Sequence, residues 1–470
     1  MNKNSDLNDL TERLVKFSML KGASQAEIFA VNEKKLLVKH KGESLDINSN
    51  INAGFGIRVA FGKKWSFTSS SSLDEKSAKI EIEEAIKIAK ARDEDPDFFG
   101  FPASQKAPMI KNLASKELKY LQIDEIMNSL NDARDKALSL DKNLANVQGS
   151  FQRIISNRAI ANSLGLQFSY DKTSYSASFS AVGSHGSQRF SENSFTGGTK
   201  LQLDLDELAL DAARRTIDMF GAKSHLDGGY MSLIMEPTAA AIFFIAITRL
   251  IFKGNLALSN RSIFQMKDLN TEVASPLFTF IDDGTMEGGI KSAPIDDEGS
   301  PSKRTTLIES GILKNFLFDY SQAKKGNVEP TGNAIRGIGH STRSYTALPN
   351  IGSRDRIVQP GTKNQDELIR DIDKGVLIGY PAGIFLSNPM TTDFTIFPTR
   401  VLEIKNGEIT RPILGASMSG NGIQWLKQIE AVGNDANLME SVISPSVVFS
   451  NVNITSSGSK MQNMQKIRHQ

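Results

Sequence analysis

The sequence predicts an α+β protein. An N-terminal half that mixes helices and strands is followed by a mainly antiparallel β domain, barrel- or sandwich-like, built around one buried apolar helix. Three observations carry this expectation. In the first half, charged amphipathic patterns stand between alternating strand-like runs. The second half is Gly-rich, with Asn406-Gly407 between two apolar runs, the strongest short-range hairpin signal in the chain. The third is the stretch 236–253, EPTAAAIFFIAITRLIFK, in which every residue from Ala239 to Ile247 is apolar. A helix that is apolar all round is buried. This one is shorter than the roughly 20 apolar residues a membrane span needs.

A chain of 470 residues should form two or three domains. The pattern changes at Asp227-Gly228-Gly229. The expected organisation is therefore an α+β unit over 1–226, a β-rich unit over 227–455 holding helix 237–253, and a disordered polar tail over 456–470.

In order along the chain, Leu7, Leu10, Leu14 and Phe17 recur at helical spacing, with Gly22 as the stop. Short alternating runs at 26–31, 35–40 and 44–50 read as a meander, followed by Gly54-Phe55-Gly56-Ile57-Arg58-Val59 and a further run ending at Thr68. Ser72 and Glu75 suggest a capping box before a helix over 74–92. Helix 123–140 precedes strand runs at 146–156, 166–170 and 174–182, with Asn162-Ser163-Leu164-Gly165 as a turn. Helix 205–220 ends at Gly221. Strand 230–235 leads into the apolar helix, whose Pro237 suits a first turn. Hairpins are expected at Glu309-Ser310-Gly311 and Asn406-Gly407. Short helices are expected over 366–373 and 422–429.

Composition narrows the function. The formal charge of +2 gives no support for nucleic-acid or membrane binding through bulk electrostatics. The absence of cysteine excludes disulfides, thiol catalysis and Cys-ligated metal centres, and suits a cytoplasmic protein. The N-terminus has no apolar stretch of the signal-peptide kind. The apolar helix contains no His or Cys, and its one acid, Glu236, stands just before it. It cannot hold a zinc ion as a metallopeptidase helix does.

The acids gather at Asp282-Asp283 and Asp296-Asp297-Glu298. Carboxylates this close can bind a hard cation or share a proton. Their spacing does not match a calcium loop, and the following Gly284 and Gly299 favour turn roles, with a cleft lining and then a metal site as alternatives. The histidines His40, His185, His225, His340 and His469 include no i,i+4 pair, so structural roles are favoured. The loop Thr331-Gly332-Asn333-Ala334-Ile335-Arg336-Gly337 could cradle an anion through its N–H groups, but lacks the ending of a P-loop.

Several segments together resemble one family. Gly54-Phe55-Gly56-Ile57-Arg58-Val59 is similar to its N-terminal strand signature, and Asn162-Ser163-Leu164-Gly165 to its N-S-x-G turn. Ile281-Asp282-Asp283, Asp296-Asp297-Glu298-Gly299, Thr331-Gly332-Asn333-Ala334, Asn388-Pro389 with Asp393-Phe394, and Asn406-Gly407-Glu408-Ile409 with Pro412 follow in the family's order. This is the TldD/PmbA family, named for peptidases and "modulators of DNA gyrase". One departure is Thr392, where a Gly before the Asp is usual.

In the TldD branch the buried helix carries His-Glu-x-x-x-His and binds a metal. Here the matching positions, 237–243, hold Pro237, Thr238, Ala241 and Phe243 in place of ligands. The chain therefore resembles the PmbA branch, also called TldE. The resemblance implies a non-catalytic subunit with no metal of its own. Zinc or iron would sit only in a TldD-type partner, and the complex would act on unfolded or modified peptides as a heterodimer, with a homodimer as the other possibility. No catalytic residue carries over. The residues that would line a peptide cleft are Asp282, Asp283, Asp296, Glu298, Asn333, Arg336 and Asp393. Two other classes compete: a metallopeptidase with its own site from Asp282, Asp296, Glu298 and His340, and a peptide-binding or regulatory protein. Neither membrane contact nor direct nucleic-acid contact is expected.

Overall fold

The computed structural model describes residues 3–337, 344–386 and 388–456. His340, His469 and tail residues 457–470 lie outside these. Ser456, assigned above to the tail, instead closes the last strand and is buried.

Helix α1 (Lys3–Leu20) ends where expected, at Gly22 with φ +93°. Strands β1 (Gln25–Lys41), β2 (Ser44–Phe61) and β3 (Lys64–Ser70) follow, then α2 (Glu75–Ala91), α3 (Lys116–Tyr120) and α4 (Ile123–Leu138). Strands β4 (Leu144–Asn162), β5 (Gln167–His185) and β6 (Gln188–Gly198) complete a six-stranded antiparallel sheet ordered β3-β2-β1-β4-β5-β6. Helix α5 (Leu205–Ile217) closes this half.

The short strands expected here are in fact long ones: β1 has 17 residues, and β4 and β5 have 19 each. The polar breaks in the pattern are not breaks in pairing. Glu33, which interrupts the alternation in β1, is buried and meets Arg158 of β4 at 3.4 Å. The cap of α2 also differs. Asp74, not Ser72, caps it by accepting from the Ser77 N–H at 2.8 Å. The turn at Asn162 forms as read. Its Oδ1 accepts from the N–H groups of Leu164 and Leu166 at 2.9 and 3.2 Å, and Gly165 holds φ +84°.

One face of this sheet carries the helices. Leu10 and Leu14 of α1 and Ile82 and Ile86 of α2 pack with Phe55 and Ile57 of β2. Leu130 of α4 and Ala209 of α5 pack with Phe151 and Phe179 of the sheet. The other face meets the C-terminal half of the chain.

That half begins with β7 (Gly229–Met235), which runs directly into α6 (Pro237–Ile247). β7 is central in a curled sheet. It pairs antiparallel with Val447–Ser456 on one side and parallel with Lys374–Ile378 on the other. A second sheet is built on Phe280–Asp283, Arg304–Glu309 and Asp355–Val358. Helix α6 lies in the core between them. The expected hairpins form. Asn406 and Gly407 take φ +51° and +78°, and Ser310 and Gly311 take +46° and +82°, as a tight turn between twisted strands requires.

Helix α6 stops at Ile247, short of the expected Lys253. The Thr248 hydroxyl donates back to the Phe244 carbonyl, and the chain turns. The turn lets Arg249 reach solvent while Ile251 and Phe252 return to the core.

The Gly-x-Gly of the first motif has a packing cause. On the sheet face away from the helices, Gly54 and Gly56 lie under the C-terminal half. A Cβ at Gly54 would stand 2.2 Å from the Ser70 carbonyl oxygen and 2.8 Å from the Tyr345 ring. One at Gly56 would stand 2.7 Å from the Tyr345 carbonyl oxygen and 3.1 Å from Arg336 Nη1. Between them Phe55 turns the opposite way into the helix-side core. We predict that Gly54→Ala lowers stability by about 1–3 kcal/mol through this overpacking. A fall in the urea midpoint would show it, and an unchanged midpoint would disprove the contact.

Candidate functional site

Helix α6 is where a metal-binding relative would carry its ligands. Ala239 to Ile247 are all buried here. Phe243 sits at the centre of an aromatic cluster, with ring centroids 5.4 Å from Phe394, 5.7 Å from Trp425 and 5.6 Å from Phe449. Ala241 is fully buried, and Pro237 and Thr238 are half-buried. None of these side chains donates an electron pair suited to a transition metal. Among the described residues, no three His, Cys, Asp or Glu side chains gather in a group that could hold an ion. The donor set does not fit a metal.

The start of the helix is charged. Glu236, at the N-cap position, is buried and receives the guanidinium groups of Arg215 on α5 and Arg400. Arg400 also meets Asp218 at 2.7 Å, and Arg215 meets Asp211 at 3.0 Å. Glu192 of β6 is buried close by, and burial pushes its carboxyl up to about 7. This cluster joins β6 and α5 to the start of α6 across 164 residues of sequence between Glu236 and Arg400. Glu236 stands out in the sequence, whereas its partners Arg215 and Arg400 do not. The available signal was an acid directly before an apolar helix, which must find a cation if it is buried.

The acids at 282–298 form a second buried network. The Asp282 carboxylate accepts from Asn333 Nδ2 at 2.8 Å and from the Arg354 N–H at 2.7 Å. Burial pushes Asp282 up to about 6. Asp283 accepts from the Thr285 N–H at 2.8 Å and from Arg304 Nη1 at 2.9 Å. Asp296 accepts from the N–H groups of Glu298, Ser300 and Ala334 at 3.0, 2.9 and 3.0 Å. Burial, with the neighbouring Glu298 carboxylate, raises the Asp296 pKa. Glu298 accepts from Arg58 Nη1 at 3.0 Å and from the Tyr320 N–H at 3.2 Å. Arg336 is wholly buried, and its Nη2 reaches Glu27 Oε1 at 2.5 Å. Glu27 also receives Arg58 through Nε at 2.8 Å and Nη2 at 2.6 Å.

Six of the seven residues named as a cleft lining therefore meet in one buried region against the first sheet. Asp393 does not join them. It is exposed at the start of strand Asp393–Pro398, accepting from Asn421 Nδ2 at 2.8 Å and the Thr391 hydroxyl at 2.6 Å. Before it, Thr392 holds φ +64°, a conformation open to glycine at little cost. The loop keeps its shape with a strained threonine where a glycine is usual. Beside the buried network, a cavity of about 240 Å³ opens between β4 and β5 and the C-terminal half, bounded by Ser156, Arg158, Lys172, Ile290, Lys291 and Glu440.

The titration of Glu192 gives a pH signature. The unfolded side chain titrates near 4.5 and the folded one near 7, so between these values the folded state keeps a proton that the unfolded state has lost. The stability this provides is full below pH 4.5 and is lost as pH rises through 7, a loss on the order of 3 kcal/mol. Glu192→Gln should flatten the pH dependence of the denaturation midpoint over that window. An unaltered slope would count against a protonated Glu192.

Family models for the PmbA/TldA metallopeptidase match the chain in order: domain 1 at residues 26–91, the central domain at 116–220 and the C-terminal domain at 228–456. An uncharacterised protein of Methanocaldococcus jannaschii is 27% identical over 444 residues, covering 93% of this chain and 98% of its own. A "Metalloprotease TldD homolog" of Buchnera aphidicola is 27% identical over 84% of this chain and 82% of its own. Among solved structures, TldE from Thermococcus kodakarensis superposes with a TM-score of 0.87 at 23% identity, covering 95% of this chain and 100% of that one. A protein of Thermotoga maritima titled a putative modulator of a DNA gyrase superposes at 0.85 and 22% identity, over 95% of this chain and 99% of its own. These two likenesses establish the shared fold. With three successive family models matched along its length, the chain belongs to the PmbA/TldD metallopeptidase family.

Proposed function

We propose that this chain is a non-catalytic, PmbA/TldE-type subunit of a TldD/TldE-like metallopeptidase complex acting on unfolded or modified peptides. The observation that carries the reading is Phe243. Where a metal-bearing relative would place ligands, this helix packs an aromatic ring against three others. Hydrocarbon there leaves no coordination site to polarise a scissile carbonyl or activate water. The metal, zinc or iron, belongs in this reading to a TldD-type partner in a heterodimer, and this chain shapes the chamber.

The substrate class follows from backbone chemistry. Sheet edges in the C-terminal half can take an extended peptide as an added strand through main-chain hydrogen bonds, which are indifferent to side chain. Such recognition selects for unfolded segments. The near-neutral charge disfavours direct DNA contact, so a gyrase-related effect would be indirect. No helix among the described residues is long and apolar enough to cross a membrane. A cytoplasmic setting suits a chain without cysteine.

The purified chain should carry far less than one zinc or iron per molecule by mass spectrometry of metals. It should leave an unstructured peptide intact on its own, and cleavage should appear when a His-Glu-x-x-x-His relative from the same cell is added. Stoichiometric metal with chelator-sensitive cleavage by the single chain would overturn the proposal.

A further inference from the structure

The cavity of about 240 Å³ between the first sheet and the C-terminal half is a slot with a direction. Its floor is made by alternate residues of β4 and β5, which point away from the helices. The ladder sets Ser156 opposite Lys172, Ile154 opposite Ser174, and Gln152 opposite Ser176, with Arg158 beyond Ser156. Exposure rises along this row. Arg158, Ser156 and Lys172 are 8%, 2% and 5% exposed, Gln152 and Ser174 are half-buried, and Ser176 is exposed. The slot is therefore closed at Arg158 and open at Gln152 and Ser176. Ile290 and the exposed Glu440 border it from the C-terminal half.

The closed end holds a cation with loose partners. Arg158 reaches Glu33 at 3.4 Å and the Tyr170 hydroxyl at 3.3 Å. Charge-assisted contacts of a guanidinium normally run to about 2.7–2.9 Å. Its Nε has no hydrogen-bond partner among the described residues. Lys172 adds a second cation beside it, donating to the carbonyl oxygens of Gly289 and Ser292.

These features select a ligand class. A buried cation without a close counter-charge favours an anion. A guanidinium suits a planar carboxylate, which it can hold through two parallel hydrogen bonds. Beyond the cations, the Ser156 and Ser174 hydroxyls and the Gln152 amide can each donate and accept. That suits the alternating N–H and C=O groups of a peptide backbone. Ile154 and Ile290 supply apolar wall for a side chain. The volume is below the roughly 300–1,000 Å³ of pockets for drug-sized ligands, so the slot suits one or two residues.

We infer that this slot takes the C-terminal end of a peptide, carboxylate first, with the free α-carboxylate at Arg158 and the last residues along the Ser and Gln floor. That the carboxylate is a peptide's rests on the proposed function. Its source is either a short released peptide or the end of a longer chain that leaves by the mouth.

Titration calorimetry on the purified chain alone tests this, with N-acetyl-Ala-Leu as the probe and its C-terminal amide as the control. The acid should bind, and the amide should bind about tenfold more weakly or worse. Arg158→Gln should weaken the acid by a similar factor. That change leaves Glu33 buried without its cation, so a second variant is needed. Ser174→Phe fills the slot at a half-buried position away from Arg158. It should abolish binding and keep the circular dichroism spectrum. A longer peptide ending in Ala-Leu separates the sources: equal affinity identifies a chain end, and lost affinity a released product. Acid and amide binding alike, no binding of the acid, or Ser174→Phe leaving its affinity unchanged would overturn the inference. No metal-bearing partner enters these titrations, so the inference can fail while the peptidase reading stands. Stoichiometric metal in this chain would sink that reading and leave the slot untouched.

Discussion

The structure depends on one buried carboxylate. Glu27 of β1 is wholly buried, and it receives Arg58 from the neighbouring strand and Arg336 from the C-terminal half. Arg58 in turn holds Glu298. Two acids and two guanidinium groups are thus linked where the sheet meets the rest of the chain. Breaking a buried pair of this kind by removing one partner leaves an uncompensated charge and costs about 3–5 kcal/mol. The geometry is tolerant of nothing bulky nearby, which is why Gly54 and Gly56 stand on the adjoining stretch of β2, where Tyr345 and Arg336 come down onto the backbone.

A second charged knot does the same at the start of α6. Glu236 draws Arg215 from the first half and Arg400 from the second. This second knot explains how an apolar helix can lie so deep between sheets. Its own surface makes no polar demand, while the acid at its start is satisfied by cations brought from both halves. In the proposed reading, the helix that would be the catalytic element of a metal-bearing relative serves here as a packing element, with Phe243 at the centre of its rings. The proposed division of labour within a peptidase complex rests on that exchange of ligands for hydrocarbon.

The parts of this fold readable in advance are those whose cause is local. Asn162 and Gly165 make their turn with a side-chain acceptor and a left-handed glycine a few residues apart. Asn406-Gly407 does so with two left-handed residues in succession. The unbroken apolar run fixed the burial of α6 for the same reason. Its end lies six residues before the expected Lys253, because the Thr248 back-bond and the return of Phe252 to the core depend on what surrounds the helix. The strands run longer than the pattern predicts because Glu33 reads as a break, and only its cross-strand partner Arg158 makes burial tolerable.

By itself, then, the sequence determined the alternation of helices and strands in the first half, the hairpins of the second, the buried helix and its lack of metal ligands. Each of these is written in neighbouring residues. Tertiary structure alone decided that Glu298 meets Arg58 and Arg336 meets Glu27, that Asp393 stands apart, and that Glu236 finds Arg400. The physical reason is that a buried charge is tolerated only beside its counter-charge, and the residues that supply it here lie as many as 309 positions away along the chain.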